Sequence, residues 1–428
     1  MLFEHPDHTG KRVRLAYCLN LHPAEDVESL LEGMRTITLP LREQLASESE
    51  LFGVGLYLPA ALASLLAGRT GARALGDLTR FVVEHRLDPF TFNAFPAAGF
   101  HQSGLKEAVF RPTWLEEERV RFTLDVAQVA ARLARALRLP GSHISISTHS
   151  GAYGAWPRGD QDARRCAQNL GRVAQGLVRL GLDAGPRFLV ALEAEPRAAA
   201  GDNAALARFL ERVPEWTGPT VERWVSSRGI GTCLDACHSA VEFEDPSAAF
   251  EHATEHGPLG KLQYSSALSV VQPARNPRAV EQLLAADEPR YLHQVTGVAK
   301  QSRLSCADLP ELRRELAGDR RDRWLDCDEW RCHFHVPVDL GRVGDDGLAT
   351  TRDHAAAILR AALAQPLRWG VEELHLEIET YTWDVLPGPA RGAGEMVDGL
   401  RREYEHVIGV LESCGWHRFG RRASEPVG

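Results

Sequence analysis

The sequence predicts a closed (β/α)8 barrel, and three observations indicate this fold class. Short apolar or alternating runs recur along the 428 residues, separated by stretches with apolar residues at three- and four-residue spacing. This is the pattern of strands alternating with amphipathic helices, which gives a parallel sheet. No GxGxxG or GxxxxGK[ST] motif follows the first run, so the usual fingerprints of a nucleotide-binding open sheet are missing. Acidic, amide and histidine residues gather instead at the C-terminal ends of several runs, where a barrel collects its active site.

Nine runs have the character of strands. In chain order they are RLAYCLNLHP from Arg14, LFGVGLYLP from Leu51, DPFTFNAFP from Asp88, SHISISTHSG from Ser142, RFLVALEAEP from Arg187, GIGTCLDACH from Gly229, GKLQYSSAL from Gly260, RCHFHVPVD from Arg331 and ELHLEIETYTW from Glu373. The segments between most of them have the helical pattern, for example ARRCAQNLGRVAQGLVRLGL.

Nine strands are one too many for the barrel, and the stretch from Leu268 to Trp330 is the longest without a convincing strand. We therefore predict one barrel domain over residues 1–428 with an enlarged loop insertion, 269–330, after strand seven. RCHFHVPVD is then an excursion that returns to the barrel mouth, and ELHLEIETYTW is strand eight. In the alternative, RCHFHVPVD is itself strand seven. The tail 421–428 is predicted to be disordered.

The charge, apolar runs and cysteines of the sequence indicate which kinds of partner and compartment to expect. Lys and Arg number 49 against 58 Asp and Glu, a formal net charge of -9, whereas nucleic-acid-binding proteins usually present a basic face. We expect no nucleic acid as partner. No apolar run approaches the roughly 20 residues that span a bilayer. The eight scattered cysteines and the polar N-terminal stretch predict a reduced, cytoplasmic protein.

Candidate ligands for a metal ion stand at the ends of four runs. Residues two apart in a strand point to the same side. The candidates are the same-side pairs Glu193 and Glu195, Glu377 and Glu379, and His333 and His335, together with Asp235 and His238 of LDACH. A buried carboxylate is costly unless it is paired or bound to a metal. Oxygen and imidazole ligands without ordered thiolates suit one or two ions of Mn, Co, Zn or Mg. A polar pocket without metal is the alternative.

Two further side chains are candidates for catalysis. Lys261 shares its side of the strand with Gln263, so an ammonium is expected inside the barrel. It is either paired with a carboxylate such as Glu195 or Glu377, or it polarises the substrate. His22, at the end of strand one, is placed to act as an acid or a base.

Aromatic residues follow strands three and eight. Phe95, Tyr381 and Trp383 suit stacking on the apolar face of a sugar or cyclitol ring, although aromatic packing under a loop is the alternative. His101, in GFHQSGLKEAVFRP, is expected to hold an anionic group of the substrate or to lie on the surface.

The ordered set LEAEP, CLDACH, HFH and LEIETYTW resembles the xylose-isomerase-like TIM-barrel superfamily, which includes sugar isomerases, epimerases and endonuclease IV. More narrowly, TFNAFP, GFH, SISTHSG, LEAEP, LDACHSAVEFE, LQYSSAL, YLHQV, HFHVPV and ETYTWDVLP resemble the EboE family of metabolite-traffic proteins. These motifs run from Thr91 to Pro387. The resemblance implies a barrel enzyme or carrier for a small polar metabolite, with other proteins of its pathway as partners.

The resemblance also implies roles for single residues. The implied metal ligands are Glu193, Asp235, His238 and Glu379, with Glu377 as the fallback for Glu379, the His333 and His335 pair in place of a D-x-H element, and His149, which is kept from endonuclease IV. Gln263 stands where the superfamily has a histidine on strand seven, so it would be a weak ligand. Asn93 stands where endonuclease IV has a histidine on strand three, and we assign it to the substrate. These departures imply one or two ions rather than three.

Three hypotheses follow. The first is a divalent-metal-dependent isomerase or epimerase of a sugar-like or cyclitol-like molecule, in which Glu195 or Glu377 moves the proton as general base. The second is hydrolysis of a phosphoester of the endonuclease IV type. The third is a non-catalytic protein that binds and carries a metabolite.

Overall fold

A computed structural model describes most of the chain. The described residues are 1–100, 103–137, 143–154, 160–184, 186–217, 229–300, 302–344, 348–383, 385–386 and 392–419, with side chains of the helix 160–184 described as far as 181. The predicted tail 421–428 and His101 lie outside these ranges.

Eight parallel strands form the closed barrel that the sequence predicts. They are Arg12–Cys18, Phe52–Tyr57, Leu87–Asn93, His143–His149, Arg187–Glu193, Ile230–Asp235, Leu259–Tyr264 and Glu373–Ile378. Each pairs with the next, and the eighth strand pairs with the first from Glu373↔Arg12 to Ile378↔Tyr17, which closes the barrel. Two short strands, Leu2–Glu4 and His417–Arg418, extend the sheet beside the first strand in antiparallel pairing. The predicted fold class is therefore confirmed.

Helices cover the outside of the barrel. They are Val27–Gly33, Leu39–Leu45, Ala60–Ala67, Ala72–Glu84, Glu117–Leu137, Asp160–Ala184, Asn203–Thr217, Ala236–Val241, Pro246–Ala253, Arg352–Ala364 and Ala393–Ser413. Their apolar residues recur at helical spacing and face the strands; in Glu117–Leu137, for example, Val126, Ala130 and Ala134 are buried. Within the described part of the chain, no helix is both long and apolar enough to cross a membrane. All eight cysteines are free thiols.

A second, six-stranded antiparallel sheet lies between barrel strands seven and eight. Its strands are Ser266–Val271, Val295–Ala299, Ser302–Cys306, Glu329–Val336, Arg342–Val343 and Leu348–Thr350. The helices Pro277–Ala285, Leu309–Ala317 and Arg321–Leu325 accompany it, and it has a core of its own around Trp324 and Trp330. RCHFHVPVD contributes the strand Glu329–Val336 to this sheet, while Leu259–Tyr264 is the seventh barrel strand.

The barrel interior is polar along its length, whereas such barrels are usually filled by layers of branched apolar residues. Near the N-terminal end, Arg14 bonds to Asp88 and lies 3.4 Å from the carboxylate of Glu373. Above it, the rings of His143 and His375 stack with centroids 4.0 Å apart. The layers of this interior are therefore held by hydrogen bonds and ion pairs.

An ion pair lies directly beneath the mouth of the barrel. Lys261 Nζ is 2.6 Å from Glu377 Oε2, both side chains are fully buried, and the ammonium also donates to Asn93 Oδ1 (2.8 Å) and Ser147 Oγ (3.1 Å). Burial, the largest single influence, would lower the pKa of Lys261, but the acidic groups around the ammonium, Glu377 foremost, together outweigh it and raise the pKa. Gly55 leaves room for the carboxylate, because a Cβ there would lie 1.5 Å from Glu377 Oε1.

We predict that Lys261→Met destabilises the fold by about 3–5 kcal/mol, because it leaves the Glu377 carboxylate buried without its partner. Urea unfolding measures this. The double variant Lys261→Met/Glu377→Gln should recover part of the loss, and Lys300→Met, at an exposed lysine, should change stability by less than about 0.5 kcal/mol. A wild-type unfolding free energy for Lys261→Met would show that the pair does not hold the barrel together.

Candidate metal centre

Three carboxylates meet at the C-terminal mouth of the barrel. Glu193 and Asp235 end the fifth and sixth strands, Glu379 follows the eighth, and all three are buried. One oxygen from each lies within 4.8 Å of the others. Burial raises the pKa of Glu193 and Glu379, and repulsion from the neighbouring carboxylates adds to it. Asp235 Oδ2 is buried and has no hydrogen-bond partner among the described residues.

Gln263 contacts this carboxylate group through its amide nitrogen. Its Nε2 donates to Glu379 Oε2 at 2.5 Å, and its Oε1 accepts from Cys233 Sγ at 2.7 Å. Asn20 donates to the other oxygen of Glu379 at 3.0 Å. The orientation of the Gln263 amide is assigned from these two contacts. In this orientation its nitrogen orients the Glu379 carboxylate, whereas its oxygen, the atom predicted to bind an ion weakly, faces Cys233.

Three imidazoles converge immediately beside the carboxylates. The Nε2 atoms of His238, His333 and His335 form a triangle with sides of 3.0, 3.1 and 3.2 Å. All three rings are buried. Three nitrogens bound to one ion at about 2.0–2.1 Å lie about 2.8–3.0 Å apart in octahedral geometry and about 3.3–3.4 Å apart in tetrahedral geometry. The triangle has the size of a three-histidine metal site.

The opposite ring nitrogens fix the tautomers. Nδ1 of His238 lies 2.9 Å from Ala194 O, Nδ1 of His335 lies 3.1 Å from Glu379 O, and Nδ1 of His333 lies 2.6 Å from Gln294 Oε1. These oxygens only accept hydrogen bonds, so each Nδ1 carries a hydrogen, and in the neutral form of each ring Nε2 presents a lone pair. Such outer contacts are typical of metal-ligating histidines.

Three lone pairs pointing at one another repel unless a cation lies between them. A proton on His238 Nε2 could relieve the two contacts that this atom makes with His333 and His335. Burial lowers the pKa of His238, but Asp235, Glu195 and Glu193 together outweigh it and raise the pKa. Burial lowers the pKa of His333, and lowers that of His335 to about 4. The 3.0 Å contact between His333 and His335 therefore still joins two lone pairs. A divalent ion satisfies all three at once, so the residues fit a metal.

A β-bulge directs two of these histidines. The strand Glu329–Val336 pairs with Ser266–Val271, but its register shifts between Cys332↔Leu268 and Val336↔Ser266. Between these two pairs the first strand advances by four residues and the second by only two, so the first strand bulges. His333 and His335 lie within this bulge. Bulges of this kind redirect side chains next to active sites.

Glu195 lies beside two of the histidines and lines the cavity with them. Its carboxylate oxygens are 3.6 Å from His238 Nε2 and 3.7 Å from His333 Nδ1. Burial, together with repulsion from Glu193 and Asp235, raises the pKa of Glu195 to about 8 against the opposing effect of His238. Together with Glu377 beneath, five buried carboxyl groups lie in this region, and Lys261 pairs with Glu377. Because a bound cation would stabilise the ionised form of the other four, their proximity is a second reason to expect one.

Several other predicted site residues lie apart from the cluster. His149 is packed against Phe95 and Phe110, and its Nδ1 accepts from Gly151 N at 3.1 Å. His22 is buried behind the first strand, 3.0 Å from the Tyr17 hydroxyl.

Glu377 and Lys261 pair with each other below the cavity, as the pairing alternative expected. Trp383 packs against the helix Ala393–Ser413. Of the predicted substrate residues, Asn93, Phe95 and Tyr381 line the cavity.

Two functional partners were not singled out from the sequence. Gln294 orients His333 and donates from its amide nitrogen to Pro196 O at 3.0 Å. Ser265 Oγ donates to Asp235 Oδ1 at 2.9 Å, and the same oxygen accepts from His238 N at 2.8 Å. Gln294 belongs to YLHQV, so a signal for it was present, although its role depends on the folding of the second sheet.

Glu403 joins the loops that carry two candidate ligands. From the helix Ala393–Ser413, its carboxylate accepts from Val338 N and Thr380 Oγ1, both at 3.1 Å. Val338 follows His335 by three residues, and Thr380 follows Glu379 directly. A buried carboxylate thus fixes the spacing of the two loops.

Comparison with known proteins gives likeness to structures only. Neither a protein family nor a curated relative matches the sequence. Solved structures that resemble it include an L-ribulose 3-epimerase (TM-score 0.45, 12% identity, 94% of this chain and 95% of that chain covered). Another is a D-psicose 3-epimerase solved in the presence of D-fructose (TM-score 0.46, 11% identity, 93% of this chain and 99% of that chain covered). A third is an IolI protein with a zinc atom (TM-score 0.43, 10% identity, 94% of this chain and 99% of that chain covered). With identities and TM-scores this low, we infer nothing from them about the activity of this chain.

We predict that His333→Ala lowers the affinity for Zn²⁺ or Co²⁺ by more than about 100-fold, since outer-shell partners alone contribute 10- to 100-fold. Elemental analysis after dialysis and titration of the stripped protein measure it. His417→Ala, at an exposed histidine, is the matched control. Full metal content at wild-type affinity in His333→Ala would remove this histidine from the ligand set.

Glu403→Ala should weaken metal binding by about 10- to 100-fold, because the loops bearing His335 and Glu379 lose their common anchor. The rate of metal release to a chelator reports it. Glu405→Gln, on the exposed side of the same helix, should release metal at the wild-type rate. Equal rates in Glu403→Ala and wild type would show that Glu403 does not position the ligands.

Proposed function

We propose that this protein is a divalent-metal-dependent isomerase or epimerase that acts on a sugar-like or cyclitol-like small molecule. The single observation that carries the proposal is the convergence of three imidazole lone pairs beside three buried carboxylates, at the floor of a cavity. We further propose a place for it in the EboE family, in a cytoplasmic biosynthetic or metabolite-traffic pathway. The motifs quoted above and the eight free cysteines support this placement.

The chain offers two adjacent positions for one or two ions. His238, His333 and His335 would hold the first through nitrogen, a ligand set that favours Zn, Co or Mn over Mg. Glu193, Asp235 and Glu379 would hold the second through oxygen. When bound, a divalent ion polarises a substrate carbonyl or hydroxyl oxygen and lowers the pKa of the neighbouring C–H group.

Glu195 is the side chain placed to move the proton. It lines the cavity and lies next to the histidines. It is outside the three-carboxylate group, although its carboxylate could also reach an ion held by His238 and His333. Its carboxylate takes the proton from the carbon beside a carbonyl, and the electrons of the C–H bond move towards the carbonyl oxygen. In an isomerisation the same carboxyl group returns this proton to the former carbonyl carbon, and the hydroxyl proton passes to the former carbonyl oxygen, so the atoms balance without a co-reactant.

Glu377, the other predicted base, is less suited to this role. Lys261 holds it by an ion pair in the barrel interior, and it does not line the cavity. Its proposed task is to keep Lys261 charged and Asn93 oriented, since Asn93 lies between the ion pair and the cavity and accepts from Lys261.

Hydrolysis of a phosphoester is the second candidate. The observation that favours it is the three-nitrogen ligand set, which resembles catalytic sites that leave one position open for water. Against it, the described lining contains one basic side chain, Arg290, and this guanidinium already contacts the carboxylate of Glu288 at 3.2 Å. A phosphate dianion would find little compensating charge there.

The proposal is tested by hydrogen exchange at carbon. Metal-loaded protein is incubated in D2O with ketopentoses, ketohexoses and inositols, and NMR detects deuterium incorporation and new isomers. We expect Glu195→Gln to lower the rate by at least about 100-fold at unchanged metal content. Glu255→Gln, at an exposed position, is the control.

Release of phosphate from phosphoesters without exchange at carbon would favour the hydrolase instead. Tight binding of one of these compounds without either reaction would favour a metabolite carrier. Wild-type exchange in Glu195→Gln would exclude Glu195 as the base.

A further inference from the structure

The cavity above the metal centre has two different halves. Strand ends and the second sheet supply a polar floor: Asn93, Ser147, Glu193, Glu195, His238, Gln263, Gln294, His333, His335 and Glu379. Loops beyond the strand ends supply the rest of the lining: Phe95, Pro96, Phe100, Leu105, Val109, Phe110, Arg290, Tyr291, Leu292 and Tyr381. The described part of this second half is mainly aromatic and aliphatic.

Its rings form one continuous aromatic wall that begins at the histidines. Tyr381 stacks on His335 with centroids 4.6 Å apart, and Phe100 meets Tyr381 edge to face at 4.6 Å. Tyr291 completes the group, 5.0 Å from Tyr381 and 5.5 Å from Phe100. A group held at the metal centre would therefore have aromatic faces next to it.

A second pair of rings belongs to a separate small apolar cluster. Phe95 and Phe110 lie 5.5 Å apart and pack with Leu292, away from the main core. Phe95 and Phe100 are half-buried, so they present part of their surface to the cavity. Apolar surface kept partly open in this way is stabilised when a ligand covers it.

The loops that carry the wall are fastened to each other. Lys106 Nζ donates to the carbonyl oxygens of Glu288 and Tyr291, both at 2.7 Å, and pairs with Asp308 at 2.9 Å. Gly104 N also donates to Pro289 O at 2.9 Å. The loop after strand three is thus tied to the loop of the second sheet, and the aromatic wall is formed before a ligand arrives.

A free sugar would cover only part of this cavity. One apolar face of its ring can stack on a single aromatic side chain, but the hydroxyl groups around the ring would face the rest of the wall and lose water without gaining a partner, which is costly. The described wall offers few polar groups: Arg290 contacts Glu288 and stacks on Tyr291. The Tyr381 hydroxyl is 3.5 Å from His333 Nε2, so it belongs with the metal centre.

We propose that the substrate is amphipathic: a sugar-like or cyclitol-like head binds at the metal centre and carries a planar aromatic ring that lies against Phe95, Phe100, Tyr291 and Tyr381. This inference rests on the proposed function, because it places the head by the same metal centre. Flat rings match the aromatic faces of the wall, and such pairs contribute beyond the area that they bury.

The test uses two small chelators with the same oxygen head, acetohydroxamate and benzohydroxamate, and zinc-loaded protein in a calorimeter. The phenyl ring should bind in the walled half, so benzohydroxamate should bind at least about tenfold more tightly than acetohydroxamate, after correction for their affinities for zinc in buffer. Phe100→Ala, and separately Phe95→Ala, should reduce this ratio by at least about threefold. Phe419→Ala, at an exposed ring 62% accessible, should keep it.

The outcomes separate this inference from the proposed function. A ratio near one in wild type, or a ratio unchanged in both alanine variants, would overturn the aromatic ring while leaving the metal centre in place. Failure of both chelators to bind, or equal binding to His333→Ala, would overturn the metal centre and with it this inference. Since two ring variants are measured, misfolding of one does not decide the result.

Discussion

The mutual repulsion of buried ligands is the constraint around which the structure is arranged. Three imidazole lone pairs point at one triangle, and four carboxylates surround them in a region from which water is largely removed. Such an arrangement is costly by itself, because buried charges and lone pairs need partners. Hydrogen bonds from neighbouring residues hold these groups in place. The side chain of Gln294 and backbone carbonyls accept from the imidazoles, Asn20 and Gln263 donate to Glu379, and Ser265 donates to Asp235. A cation bound at the triangle would turn this costly geometry into a stable one.

The site is shared by two structural units. The barrel supplies the carboxylates and His238, whereas His333 and His335 come from the second sheet, and Tyr291 of the same sheet region joins the wall of the cavity. The two units also meet through Arg331, which donates to Ala240 O at 3.0 Å, and through Cys237 N, which donates to Ser265 Oγ at 3.0 Å at the start of the sheet. The second sheet is thus a structural part of the candidate site.

Much of this arrangement could be predicted from the sequence, for a simple reason. In parallel strands, alternation decides which side chains face inwards, and the C-terminal strand ends decide which of them meet. These two rules bring Asp235 and both glutamate pairs, 193/195 and 377/379, to the same mouth. The choice of Glu193 and Glu379 as ligands comes from the family resemblance. The histidine pair could be predicted to lie at the mouth, but the direction of the two side chains could not. The bulge that directs them depends on pairing with the strand Ser266–Val271.

Other positions depended on contacts that no local pattern carries. His149 shares the inward side of its strand, yet Phe95 and Phe110 hold it away from the ligands. The amide of Gln263 has two ends, and only its neighbours Cys233 and Glu379 decide which end faces the carboxylates. The second sheet escaped detection because its strands Val295–Ala299 and Ser302–Cys306 are short and partly exposed, which leaves only weak alternation.

The position of the second sheet has a consequence for how the molecule assembles. The sheet is inserted in the chain between barrel strands seven and eight. These two strands pair with each other, Lys261 opposite His375, although the whole inserted unit separates them in sequence. Closing so long a connection costs chain entropy unless the intervening residues are already compact, and contacts between distant positions form slowly. Because the inserted sheet has a hydrophobic core of its own, it can shorten that connection before the seam forms. Barrel closure and completion of the ligand triangle then depend on the same docking event, since the inserted unit supplies two corners of that triangle.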